Sequence, residues 1–408
     1  MSPTKSLIRT VHLWLGLGSG LIIVFVCLTG SVLAFELELE HAWHPARYFV
    51  PPVTSPRLSL AQLAEAVKAN RPKAKISSFK LYADPARTVE ISLAGGGRSG
   101  GGGAAGFAAV SSQGRETGKS SREKGSEGKG GGPRVFVNPY TAVITGELNP
   151  RDNFFKTVEQ LHRGLVAGSV GKLVMGVSAL VFLFILGTGL VLWWPTVRKA
   201  FKPRLKVKWG SGWKRLNHDF HISLGFYASF FLFIMALTGV GMSFDWVGQG
   251  ISKLTHSPLK WPAPPRSAAP AAGVPAAALA PDAVLALARQ QAPNAETYTL
   301  QLPREPTGSI RVVVLLPGAI TENATDEVFL DQYSGRVIGG QTYAQRPLGQ
   351  RIRGLFKPVH TGAIFGWPTK LLALVISLLG ATFPITGIIM WLNRTRNQRR
   401  KQPQLQPV

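Results

Sequence analysis

Four of the eight histidines in this 408-residue chain recur at fixed spacing. His12-Leu-Trp-Leu-Gly16, Leu28-Thr29-Gly30 and Phe35-Glu36 return as His221-Ile-Ser-Leu-Gly225, Leu237-Thr238-Gly239 and Phe244-Asp245, each at an offset of 209. His162-Arg-Gly164, Gly168, Lys172, Thr188-Gly189 and Trp193 return as His360-Thr-Gly362, Gly366, Lys370, Thr386-Gly387 and Trp391, at an offset of 198. A single histidine at a helix end is ordinarily an interfacial or packing residue. Two matched pairs beside apolar segments ask for more, because polar side chains at membrane depth usually have a functional partner. Two imidazoles converging from facing helices supply what a six-coordinate haem b needs, a neutral nitrogen on each face of the iron.

The elements that must position these rings are four apolar blocks, 13–35, 173–194, 224–244 and 371–392. Each is roughly 20 residues or longer, enough to cross about 30 Å of hydrocarbon. The first block is too long for the apolar core of a signal peptide and runs into Glu36-Leu37-Glu38, so it reads as a retained span. Between blocks two and three lie Arg198, Lys199, Lys202, Arg204, Lys206, Lys208, Lys214 and Arg215 without an acid. Arg394, Arg396, Arg399, Arg400 and Lys401 follow the last block, and Lys5 and Arg9 precede the first. The positive-inside rule makes these three regions cytoplasmic. Trp193, Trp194 and Trp391 then mark the inner interface, and Trp43 and Trp246 the outer one.

The resulting expectation is an α-helical membrane protein with two parallel repeats and two small α+β domains outside. Its parts are an N-tail (1–11), a first span (12–36), an external domain (37–160), a second span with an external extension (161–196) and a basic loop (197–217). A third span (218–245), a second external domain (246–358), a fourth span with its extension (359–393) and a C-tail (394–408) complete it. A pseudo-two-fold axis along the membrane normal then brings His12 towards His221 on the inner side and His162 towards His360 on the outer side. Each external domain has a short amphipathic helix (60–69, 281–290), strands and a hairpin-like end, 137–146 and 330–339. An insertion at about 95–132, rich in Gly, Ser and charge, reads as a disordered loop.

Gly16, Gly225, Gly164 and Gly362 leave room for a macrocycle or for close helix packing. The Thr-Gly pairs read as packing and bend positions. Arg9, Arg163, Lys172 and Lys370 can pair haem propionates, although topology alone accounts for them. His218, one turn before His221, is a substitute ligand whose counterpart is Arg9. His41, His44 and His256 read as loop residues, the first two with substrate contact or alternative ligation as the other reading. Zinc wants three or four ligands, usually with a carboxylate or cysteine, and neither matched pair brings such a set. The one cysteine, Cys27, excludes disulfides and iron–sulfur clusters within a single chain.

The chain carries 46 Lys+Arg against 21 Asp+Glu, a net charge of +25. Its concentration at the ends of apolar blocks is topological charge, and argues against nucleic-acid binding. Gly16-Leu-Gly18-Ser-Gly20 lies inside a span and joins no strand to a helix, so no dinucleotide site is visible.

Arg9-x-x-His12-x-Trp14-x-Gly16, Leu161-His162-x-Gly164, His360-x-Gly362 and the Asn138-Pro-Tyr140 ending together resemble the PepSY-associated transmembrane family. That family includes iron-regulated membrane proteins and siderophore reductases. The second external ending, Asp331-Gln-Tyr333, departs from the pattern. The resemblance covers nearly the whole chain outside the insertion and is closest to ferrioxamine-type reductases. It implies a haem-b enzyme of the Gram-negative inner membrane that reduces a periplasmic ferric siderophore, with His12, His162, His221 and His360 as candidate ligands of two haems. The electron donor is then a cytoplasmic protein or a quinol. Two alternatives stand beside it: a non-catalytic binding or assembly protein, and a haem electron carrier serving another partner.

Overall fold

A computed structural model describes residues 3–95, 132–150, 153–258, 263–268 and 277–401. The first half runs through α1 (Pro3–Ala34), α2 (Glu36–Trp43), α3 (Pro45–Tyr48) and α4 (Leu60–Asn70). Strands β1 (Ile76–Tyr82), β2 (Val89–Leu93), β3 (Arg134–Val137) and β4 (Ile144–Leu148) follow, then α5 (Phe154–Gly164) and α6 (Gly168–Trp193). The second half has α7 (Phe201–Arg204), α8 (Trp213–Asp219), a π-helical turn (Phe220–Leu224), α9 (Gly225–Ser243) and α10 (Asp245–Leu254). It continues with α11 (Pro281–Gln291), β5 (Thr297–Gln301), β6 (Ile310–Leu315), β7 (Asp326–Leu330), β8 (Val337–Gln341), α12 (Leu348–Thr361) and α13 (Trp367–Lys401).

The chain divides into two compact units, one holding the long apolar helices and the other the strands. In the helical unit four helices are long and apolar enough to cross a membrane: Pro3–Ala34, Gly168–Trp193, Trp213–Ser243 and Trp367–Gln398. They form a closed ring in which α1 packs on α6 and α13, and α9 packs on the same two helices. Helices α1 and α9 therefore oppose each other diagonally. The middle of the ring is filled by Leu186, Ala228, Leu232 and Ile376, with Ile23, Cys27 and Ala381 beside them. Exposed Leu21, Phe184, Phe230 and Leu371 leave the outer faces apolar, as helices bathed in lipid require.

The strand unit corrects one expectation. The two segments expected outside the membrane are not two separate sheets. They make one eight-stranded antiparallel sheet, ordered β4-β3-β2-β1-β5-β6-β7-β8, joined through β1 and β5 with Phe79 opposite Leu300. Alternation along the strands places Phe79, Leu81, Ile91, Val135, Leu300, Val312 and Val314 on one face. Helices α4 and α11 cover that face with Leu63, Val67, Val284 and Ala288, all buried. Each fully buried aliphatic side chain contributes roughly 1.5–3 kcal/mol, so pairing at β1–β5 lets two small half-sheets share one core. Asp282 of α11 accepts from the Leu60 and Ala61 backbone N–H groups at 2.6 and 3.0 Å, capping α4 across the junction. The charged insertion at about 95–132 falls outside the described residues apart from its end glycines, which lie where β2 meets β3.

The mismatch between the two hairpin endings resolves in this unit. Asn138 accepts from the backbone N–H of Tyr140 at 2.8 Å and of Thr141 at 3.3 Å. Asp331 accepts in the same way from Tyr333 at 3.0 Å and Ser334 at 2.8 Å. Both side chains build an Asx turn, and the oxygen it needs is common to Asn and Asp.

Candidate functional site

Each matched histidine meets a Thr-Gly pair on a neighbouring helix. His12 of α1 places Nδ1 2.9 Å from Thr188 Oγ1 of α6, and His221 in the π-helical turn lies 2.8 Å from Thr386 Oγ1 of α13. His162, in the last turn of α5, is 3.0 Å from Thr29 Oγ1 of α1; His360, in the last turn of α12, is 3.1 Å from Thr238 Oγ1 of α9. The glycine after each threonine is where the imidazole sits. A Cβ on Gly30, Gly239, Gly189 or Gly387 would stand 3.1, 3.2, 3.3 or 3.5 Å from Cε1 of its histidine. The reading of Thr-Gly as mere packing is thereby corrected: the hydroxyl holds the ring and the missing side chain admits it.

The direction of these bonds follows from the threonines. Every one of the four hydroxyls donates its single proton to its own helix, Thr29 to Phe25 and Val26, Thr188 to Phe184 and Ile185, Thr238 to Ile234 and Met235, Thr386 to Thr382 and Phe383. Towards the imidazole the hydroxyl can only accept, so Nδ1 carries the hydrogen. His360 makes this independent of the threonine, because its Nδ1 also lies 2.8 Å from the Met235 carbonyl. Nε2 is left with its lone pair, and on none of the four does it have a hydrogen-bond partner among the described residues. A metal-binding histidine is normally held in this way, its second nitrogen donating to an oxygen that fixes tautomer and ring orientation.

The rings come together in two pairs. His162 and His360 stand with centroids 6.1 Å apart and planes at 67°. Metal–imidazole bonds of about 2 Å, with each nitrogen about 1 Å from its ring centre, put two ligands of one metal roughly 6 Å apart. His12 and His221 stand on the diagonal helices, each tied to a threonine of a helix that packs against both, Thr188 of α6 and Thr386 of α13. Along α1, His12 and Thr29 are 17 residues apart, so the two layers are separated by about 25 Å. Between them lies the packed apolar layer of Leu186, Leu232 and Ile376. Two neutral nitrogen donors per layer, in apolar surroundings, fit the two axial positions of a haem and fall short of a zinc set. No group of three His, Cys, Asp or Glu side chains suited to a metal ion occurs among the described residues.

The remaining candidates separate. A Cβ on Gly16 would meet nothing within 4 Å and one on Gly225 only Phe383 at 3.9 Å, so space is open beside both. Gly164 and Gly362 are close-packing positions instead, against Lys172 and the Thr369 carbonyl. Arg163 pairs with Glu159 at 2.9 Å and is half exposed. His218 turns to Asp219, with Nδ1 3.3 Å from its carboxylate, and lines a cavity with Arg204 and Arg215. His41 belongs to the strand unit, packed on Tyr48 and Phe49, while His44 caps the start of α3 and His256 takes a left-handed turn at φ 51°. Asn217, 3% exposed, was not singled out by sequence; it donates to the Thr386 carbonyl at 3.1 Å and so braces the helix turn that holds His221. Its first-half counterpart is Ile8, so the repeat gave no signal.

No curated protein sequence matches this chain. The family model described as the PepSY-associated TM region matches residues 9–394, spanning all four histidines, both Thr-Gly layers and the sheet, and the chain belongs to that family.

Proposed function

We propose that this protein is a haem-b ferric-siderophore reductase of the bacterial inner membrane, with one haem between His12 and His221 and another between His162 and His360. The observation that carries the reading is the set of four imidazoles, each with Nδ1–H tied to oxygen and Nε2 free, gathered in two pairs. When bound, haem supplies a one-electron iron couple at each layer. The protein's own part is to orient. Thr29, Thr188, Thr238 and Thr386 hold the rings, their neighbouring glycines admit them, and the apolar layer keeps water from the path between.

By the positive-inside rule, the basic 197–217 segment and C-tail support a cytoplasmic side for the His12/His221 layer. Electrons then enter from a cytoplasmic or membrane donor and leave at the His162/His360 layer. The substrate is a ferric chelate of the hydroxamate type, whose hard oxygen ligands hold Fe(III) far better than Fe(II). One electron weakens the chelate and releases iron. Family membership, which points to an iron-regulated membrane protein, supports the substrate class.

Stopped-flow reoxidation tests this. Dithionite-reduced protein should show sharp α/β bands that decay when ferric siderophore is added. Failure of every ferric chelate to oxidise it would remove the reductase reading and leave an electron carrier for another partner.

A further inference from the structure

The basic loop between α6 and α8 is a built site rather than a loose run of charge. Arg204 donates to the Leu192 carbonyl at 3.3 Å and to that of Trp193, satisfying the C-terminal end of α6. Tyr227 of α9 donates to the Leu205 carbonyl at 3.2 Å. The Lys208 backbone N–H donates to Asp219 at 3.3 Å, and Arg215 reaches the same carboxylate at 2.9 Å. The loop is thus tied to the ends of two spanning helices, and beneath it lies a cavity of about 210 Å3 lined by Arg204, Arg215, His218 and Asp219, with Pro203 and Ile222 as its apolar wall.

The chemistry of that lining selects a ligand. Asp219 is 4% exposed and its carboxylate stands in the wall, so an anion such as a phosphate is disfavoured. A metal ion is disfavoured too, since no suitable set of three ligands occurs among the described residues. His218 is held as the inner ligands are, its Nδ1 donating to Asp219, which as a carboxylate can only accept. Its Nε2, without a partner among the described residues, is an acceptor beside guanidinium N–H donors and apolar walls. A flat, uncharged ring with hydroxyl and carbonyl oxygens at its ends answers all three. The site also sits at the ends of Gly168–Trp193 and Trp213–Ser243, where a ring carrying a lipid tail would arrive from the bilayer.

We infer that this cavity binds the headgroup of a membrane quinol, with His218 taking the hydrogen bond of a ring hydroxyl and Asp219 fixing the histidine tautomer. Its role as electron source rests on the haem reading above; its chemistry as a binding site does not.

The test is photolabelling of the full-length protein in lipid nanodiscs with an azido-substituted short-chain ubiquinone, mapped by mass spectrometry. Label should fall between residues 198 and 222 and be displaced by decylubiquinone. His218→Leu should weaken the displacement at least tenfold. Ala200→Trp, which fills the cavity from the loop and leaves the spanning helices untouched, should do the same. Labelling confined to the lipid-facing sides of the spanning helices, or unchanged in both variants, would overturn the proposal. Protein from haem-starved cells separates the two readings. Labelled but colourless protein upholds the quinol site, and coloured protein without label at the cavity refutes it.

Discussion

Nδ1 of His360 lies 2.8 Å from the backbone oxygen of Met235. A carbonyl cannot donate, so this contact settles which nitrogen of His360 carries hydrogen and which is free for a metal. The other three histidines reach the same tautomer through threonine hydroxyls whose protons are already committed to their own helices.

Loss of a ring from one layer should empty that layer alone. Under the proposed two-haem reading, His162→Ala or His360→Ala is expected to lower haem content from two to one per chain, read by pyridine haemochrome assay against protein concentration. The packed layer of Leu186, Leu232 and Ile376 isolates the layers, so the His12/His221 haem should keep its spectrum. Two haems per chain retained in both variants would contradict the ligand assignment.

Removing a threonine hydroxyl should matter unequally. Thr386→Val takes from His221 its close acceptor, and by the usual cost of such an outer partner haem retention should fall about 10- to 100-fold. Thr238→Val leaves His360 its bond to Met235 and should cost less than tenfold. Haem transfer to apomyoglobin measures both. Equal losses would mean that the carbonyl does not hold the ring.

Adding one methyl group at the four glycines should give a graded series. Gly30→Ala brings a Cβ to 3.1 Å from the His162 ring, whereas Gly387→Ala leaves 3.5 Å beside His221. The first should displace its histidine and lower the haem content of that layer; the second should be tolerated. The order is read from the low-spin signals of each variant in electron paramagnetic resonance.

Acid should act on the sheet through Asp331. The Ser334 backbone N–H, with those of Ala268 and Tyr333, holds its carboxyl down to about 2. A carboxyl depressed in the folded state contributes stability above its ordinary value of about 3.9, and loses it as pH falls through the lower one. Between about pH 4 and pH 2, hydrogen exchange at Tyr333 and Ser334 should therefore accelerate. Asp331→Asn should remove that pH dependence, since Asn138 makes the same turn without charge, while costing the bond to Ala268. An unchanged acid profile in Asp331→Asn would place the effect elsewhere.

Much of this was legible in the residues. Four apolar runs, basic segments at their ends and two fixed offsets are local properties of the chain, and hydrocarbon thickness converts them directly into spans. The four histidines stood out because they recur at those offsets. Thr29, Thr188, Thr238 and Thr386 were copied at the same offsets, yet their role stayed hidden. Threonine beside glycine inside a span is a common packing pattern, and nothing in its spacing says which helix lies opposite.

What the chain alone determined was the number of candidate spans and the four histidines that recur at fixed offsets, each read from residue type and spacing. What only the tertiary structure decided was which side chain meets which. Thr188 reaches His12 across 176 positions, Phe79 faces Leu300 across a sheet seam, and Asn217, whose first-half counterpart is Ile8, braces the turn of Thr386. Such contacts depend on how helices pack and strands register. Hydrogen-bond direction and ring orientation follow from that packing, because a neutral imidazole presents whichever nitrogen its neighbours leave free.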